Sequence, residues 1–227
     1  EANNLEKFKI TKTKLNDLLI IEPMIFGDKR GFLLETYNKK DFNNFGLEVE
    51  FVQDNHSKSK KNVLRGLHYQ KKNTQGKLVR VSRGKVWDVA VDLRNDSTTF
   101  GKWYGIELSE ENKKMFYIPE GFAHGFLTLE DDTEFQYKCT NFYDPDYEDG
   151  IIWNDELIDI KWPFLKYGLK IEKIIISEKY YNLTLAEYKR GIKNSPDLVG
   201  ATERYFDSKK KKIEIEKDRM DREIQKK

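Results

Sequence analysis

Two histidines, a lysine, a tyrosine and an aspartate stand in this chain in surroundings suited to moving protons. His68 lies in NVLRGLHYQ (62–70), Lys77 in GKLVRV (76–81), Asp88 in VWDVAVDLR (86–94), His124 in PEGFAHGF (119–126) and Tyr137 in EFQYK (134–138). Abstracting a proton next to a ketone needs a base near neutrality, a cation to hold the enolate oxygen and an acid opposite the base. Histidine, lysine and tyrosine can fill those roles with no cofactor. Arg30 and Arg65 are candidates for holding anions. Other chemistries lack their signatures: GxGxxG, GxxxxGK[ST] and GxSxG are all absent. No HxH or HxxxH occurs and Cys139 is the only cysteine, so no metal site and no disulfide within the chain is expected.

The elements that must position these groups read as strands. Between about 8 and 162, short β-type runs such as DLLIIEP, KLVRVSRG, KVWDVAVDLR and GFLTLE alternate with turn clusters such as FGDKRG and RNDSTTFG. Many short strands at regular spacing predict an all-β sandwich or barrel. Short helical pieces are expected near KKDFNNF and near SEENKKM, the latter with Ser109 as N-cap.

Two of these strands pose questions. Arg65 and His68 have opposite parity, so on a regular strand they point to opposite faces. A bulge at Gly66 would shift the parity by one and turn both into a single cavity. In 86–93, Val86, Asp88, Ala90 and Asp92 share one face, and Trp87, Val89, Val91 and Leu93 the other. The acidic face reads equally well as the wet side of an antiparallel sheet or as something the fold uses.

Composition sets the outer bounds. The chain has 227 residues, 38% hydrophobic and 35% charged, with 13% aromatic, which suits a β-rich protein with filled pockets. A net charge of +2 argues against nucleic-acid binding by bulk electrostatics. No apolar run approaches a membrane span and no apolar leader opens the chain, so a cytoplasmic protein is expected. The character changes after Pro163. SKKKKIEIEKDRMDREIQKK (208–227) holds nine basic and five acidic residues, with a narrow apolar stripe at Ile213, Met220 and Ile224 that permits a helix. The expected division is therefore an all-β unit over 1–180 and a charged, helical C-terminal extension over 181–227.

Eight segments in order resemble the dTDP-4-dehydrorhamnose 3,5-epimerase family: FGDKRGFLLETY, FVQDNHSKSKKNVLRGLHYQ, GKLVRV, VWDVAVDLR, STTFGKW, IPEGFAHGFLTL, EFQYKCTNFY and WNDELIDIKWP. The likeness covers about residues 8 to 180. It implies a cupin-type β-jelly roll that forms a homodimer with exchanged N-terminal strands. It also implies a dTDP-linked 4-keto-6-deoxyglucose substrate on the way to dTDP-L-rhamnose. On this resemblance His68 is the base, Tyr137 the acid on the opposite face, Lys77 the partner of the enolate oxygen, and Asp88 the group that orients basic neighbours. Arg65 and His124 line the same pocket. Arg30, Glu35, Gln53, Asp54 and Asn55 bind the nucleotide end, Tyr143 stacks on the thymine, and Glu148 and Lys179 add contacts.

One position departs from the family. After the WP element the family reads S-x-K-D, and its aspartate forms a dyad with the catalytic histidine; here SEKYY (177–181) places Tyr180 there. A paired carboxylate fixes a histidine's tautomer and raises its basicity. Without it three outcomes stay open. Another group, such as Glu178 or Asp88, supports the base; the enzyme is slow or epimerises one carbon only; or the chain binds sugar nucleotides without turning them over.

Overall fold

The computed structural model describes residues 7–176 together with 184 and 185; Lys179, Tyr180 and nearly all of the 181–227 extension lie outside it. In chain order the first elements are β1 (Phe8–Lys12), β2 (Leu19–Pro23), β3 (Phe26–Asp28), β4 (Gly31–Leu33), helix α1 (Lys39–Asn44), β5 (Gln53–Ser59) and β6 (Val63–Gln70). Then follow β7 (Lys77–Arg83), β8 (Lys85–Asp92), β9 (Trp103–Ser109), β10 (Met115–Ile118), β11 (Phe122–Thr128), β12 (Thr133–Cys139), β13 (Glu148–Gly150) and β14 (Ile175–Ile176).

The strands build two facing sheets. One runs β1-β2-β10-β7-β12-β5; the other runs β13-β6-β11-β8-β9, with β14 also on the β6 edge. Such a two-sheet antiparallel sandwich is a jelly roll. Its central core interleaves Ile20, Val79, Phe116 and Phe135 of the first sheet with Val86, Ala90, Phe122 and Phe126 of the second. The outer face of the second sheet is covered as well: Trp153, Phe164 and Leu169 close over Leu64 and Leu127. Ile158, Ile160 and Leu185 close over Leu67, Val89 and Val91. That double cover settles the alternation in β8. Both of its faces are buried, and the acidic one looks between the sheets, with Asp88 and Asp92 fully enclosed.

Asp92 is kept ionised there by hydrogen bonds. Its carboxylate accepts from the backbone N and Nε of Arg94 (both 3.0 Å), from Nη2 of Arg94 (3.0 Å), and from the hydroxyls of Ser97 and Thr99 (both 2.6 Å). Burial alone would push its carboxyl up, but these bonds outweigh it and hold it below the usual 3.8. Its stabilising contribution is therefore complete above the unfolded-state value and is lost as pH falls through the lower folded one. Asp92→Asn should cost about 2 kcal/mol in urea denaturation at neutral pH, because it takes from the partly buried Arg94 guanidinium its enclosed carboxylate and leaves only the exposed Asp17 as ionic partner. A loss under half a kilocalorie would show the loop closes without it.

The short helix expected near KKDFNNF is α1, capped by Asn38, whose side chain accepts from the amides of Lys40 and Asp41. The one expected at SEENKKM is a single turn. Ser109 and Asn112 do cap each other reciprocally, at 3.1 and 3.0 Å. Lys113 then adopts a φ of +55°, which ends the turn before a helix can propagate. The β3–β4 hairpin stands apart from the sandwich, and Ile25, Phe26, Phe32 and Leu33 on and beside it are exposed.

Candidate active site

Gly66 decides the geometry. On β6 and β11, His68 faces His124 while Arg65 faces Phe126, so Gly66 and Leu67 on one strand stand against the single Gly125 on the other. That one-residue bulge puts Arg65 and His68 on the same face, as the parity conflict required. The Gly66–Leu67 peptide is cis, and Gly66 has a φ of +101°. A Cβ on Gly66 would fall 2.4 Å from the His124 carbonyl oxygen, and one on Gly125 would fall 2.6 Å from the Arg65 carbonyl oxygen. The two glycines thus let two backbones touch where side chains would hold them apart.

The face so created meets the other sheet across a cleft of about 510 Å³. His68 enters it from β6, while Lys77 and Tyr137 enter from β7 and β12 opposite. The Lys77 Nζ lies 5.9 Å from the centre of the Tyr137 ring. Behind His68 stands His124, their ring centres 5.8 Å apart. Asp88 bridges the far nitrogen of His124, its two oxygens 3.0 and 2.9 Å from Nε2. Asp88 therefore orients a basic partner, and that partner is His124. Arg65 donates to Ser59 Oγ at 3.2 and 3.1 Å, and neither it nor His124 is among the residues that line the cleft.

The mouth is built by Gln53, Asn55, Tyr143 and Glu148. Tyr143 donates its hydroxyl to Glu148 at 2.7 Å and its amide to Gln53 at 2.9 Å, so three chain segments are tied together there. Asp54 belongs to the opposite face of β5, where it pairs with Lys138 at 3.0 Å. Arg30 and Glu35 are not brought to this cleft either: Arg30 pairs with Asp28 on the hairpin and Glu35 with Lys7 at 2.7 Å. Lys179 lies outside the described residues. Leu93 and Phe122 line the cleft although sequence reading passed them over; Phe122 sits two residues before His124, which puts it on the same strand face. Among the described residues no three His, Cys, Asp or Glu side chains gather as a metal would need.

These features coincide with a known family. The profile of the dTDP-4-dehydrorhamnose 3,5-epimerases matches residues 12–187. The chain belongs to that family. The dTDP-4-dehydrorhamnose 3,5-epimerase of Salmonella typhimurium is 60% identical over 157 residues, 68% of this chain and 86% of that protein. The crystal structure of the epimerase from Elizabethkingia anophelis superposes with a TM-score of 0.72 at 50% identity, covering 78% of this chain and 96% of the other. The Legionella pneumophila epimerase, solved with dTDP-4-keto-L-rhamnose, gives 0.72 at 48% identity, covering 80% and 96%. The sandwich is thus the cupin-type jelly roll of these 3,5-epimerases.

Electrostatics fit an epimerase of this kind. Burial, helped by the charges of Lys77, His124 and Arg65, holds His68 well below the usual 6.5, so its imidazole is neutral and able to accept a proton at neutral pH. Burial raises the Tyr137 phenol above 10, so it keeps its proton to give. Burial also lowers the Lys77 ammonium from 10.5, countered by Cys139, Asp88 and Glu148. It drives the Asp88–His124 pair toward neutral forms, raising the carboxyl and lowering the imidazole. The acid limb of kcat/KM in the free 3,5-epimerase should therefore lie below pH 6.5, since activity falls only when His68 protonates. A pH–rate profile with a midpoint at or above 6.5 would contradict this.

Proposed function

We propose that the protein epimerises C3 and C5 of dTDP-4-dehydro-6-deoxy-D-glucose to give dTDP-4-dehydro-L-rhamnose. The observation that carries the reading is the division of labour between the sheets: the base on one, the acid and the ammonium on the other, with the cleft between. His68 removes the proton from carbon next to the 4-keto group, and that electron pair becomes an enolate whose oxygen Lys77 holds. Tyr137 returns a proton to the same carbon from the opposite face, inverting it, and the two groups then exchange their protons with solvent. The cycle repeats at the second carbon. No cofactor takes part.

The nucleotide end lies at the mouth, with Tyr143 under the thymine and Gln53, Asn55 and Glu148 around it. Arg30 and Glu35 serve the cleft of a second subunit in a homodimer with exchanged N-terminal strands. Two observations support this: neither residue reaches its own cleft, and the hairpin that carries Arg30 exposes Phe26, Phe32 and Leu33. A cytoplasmic location suits a nucleotide-sugar substrate and the single, buried, free Cys139; no helix among the described residues is long and apolar enough to cross a membrane. Residues 1–180 form the epimerase unit and 181–227 the appended charged extension.

Turnover in deuterium oxide tests the reaction. Label at both C3 and C5 is expected. Label at one carbon would make it a single-carbon epimerase, the reading that Tyr180 at the usual dyad position favours, and none would leave a binding protein. In Tyr137→Phe, exchange should survive better than inversion, because making the enolate needs the base and not the acid. Equal loss of both would show that the two residues do not act separately.

A further inference from the structure

The cleft is lined unevenly. Beside His68 its wall is Leu93, Gly121 and Phe122, and every other lining side chain carries a polar atom. Phe122 shares its face of β11 with His124, which stands opposite His68, so Phe122 is the diagonal neighbour of the base. Diagonal neighbours lie about 7–8 Å apart at the backbone, within reach of an aromatic ring.

That wall is held rigid. The Arg94 guanidinium lies 4.9 Å from the centre of the Phe122 ring. Arg94 is itself fixed by Asp92 and, at 2.8 Å, by Asp17. Gly121, with a φ of +84°, permits the packing, since a Cβ there would meet Arg94 Cγ at 2.6 Å. The Leu93 amide donates to the Gly121 carbonyl at 3.1 Å and joins the two sides of the wall. Asp92, which has no part in proton transfer, is the root of this buttress.

We infer that Leu93 and Phe122 form a subsite for the C6 methyl group, by which the cleft selects 6-deoxy over 6-hydroxy hexoses. This rests on the reaction proposed above, which brings C5 to within about 3–3.5 Å of His68 when its proton is taken. The substituent on C5 then meets the wall. A methyl group there loses apolar surface to two fixed side chains, whereas a hydroxymethyl group brings a hydroxyl that the wall cannot satisfy.

Calorimetric titration of the wild-type chain with dTDP-6-deoxy-D-glucose and with dTDP-D-glucose reads the subsite apart from catalysis, because neither sugar has a ketone. The 6-deoxy ligand should bind on the order of 10–100-fold tighter, the range an apolar pocket achieves for one small group. Phe122→Tyr and Leu93→Thr, each adding a hydroxyl to the wall, should bring the ratio toward unity, with melting curves confirming that both fold. Equal wild-type affinities overturn the inference, as does failure of both ligands to bind. A clear preference without deuterium exchange on the 4-keto sugar would leave the subsite standing and sink the proposed reaction; exchange without preference would do the reverse.

Discussion

His68→Asn should abolish deuterium incorporation at both carbons, lowering kcat by roughly 10²–10⁴-fold, the range for loss of a positioned general base. Asparagine keeps most of the volume and one hydrogen-bonding end of the imidazole, so the packing beside His124 survives, but it cannot take a proton at any relevant pH. The neighbouring imidazole is a poor substitute: His124 lies behind His68 and is almost fully buried, its Nε2 engaged by Asp88. Affinity for dTDP should stay within about twofold, since the nucleotide contacts proposed above are at the mouth, away from the substitution. A variant that keeps a tenth of wild-type exchange would remove His68 from the role of base and direct attention to Tyr137 acting in both directions.

Gly66→Ala is the second large effect, and it acts through backbone geometry. The added methyl would meet the His124 carbonyl oxygen at 2.4 Å and Gly125 Cα at 2.6 Å. Both are main-chain atoms, so no rotamer change relieves the contact, and a φ of +101° is itself unfavourable for alanine. Strand β6 must move away from β11, carrying His68 with it. A displacement of about 1 Å at a reacting group can cost 10²-fold in rate. We therefore expect at least that loss, together with destabilisation of more than about 2 kcal/mol in urea denaturation, in the range of the severe single-residue mechanisms. Near-normal activity in Gly66→Ala would mean that the bulge is not what aims the base.

This position also shows what a sequence can reveal. Gly66 between residues of conflicting parity was enough to place a bulge, because a strand's period of two leaves no other way to bring Arg65 and His68 together. The strands of the sandwich were legible for the same reason. The burial of Asp88 and Asp92 was not. Whether the acidic face of β8 meets water depends on the cover that residues 151–171 lay over its other face, and that cover comes from distant irregular segments with no periodicity to read. Strand alternation already separates Asp54 from Gln53 and Asn55, but the motif that carried the three names residues without their faces. Ser109 signalled a capped turn, which the structure has, but not a helix; what the signal lacks is the turn's early end at Lys113. Arg30 and Glu35 were recognisable as a motif, but a motif does not say that the chain holds them away from its own cleft, on and beside the β3–β4 hairpin.

The strand that carries the base also sets the order in which the molecule can be completed. One edge of β6 pairs with β11, which follows at moderate distance, but the other is shared by β13 and, in parallel, by β14. Those partners are synthesised long after β6, and parallel or distant pairings are slow to form because loop closure must come first. Until residues 148–176 have emerged from the ribosome, β6 therefore waits with an unpaired edge, next to Leu64 and Leu67 whose outer cover is also missing. An edge of that kind is a template for joining other chains. Slow translation through this stretch should thus cost soluble yield more than slow translation through the strands of the first sheet.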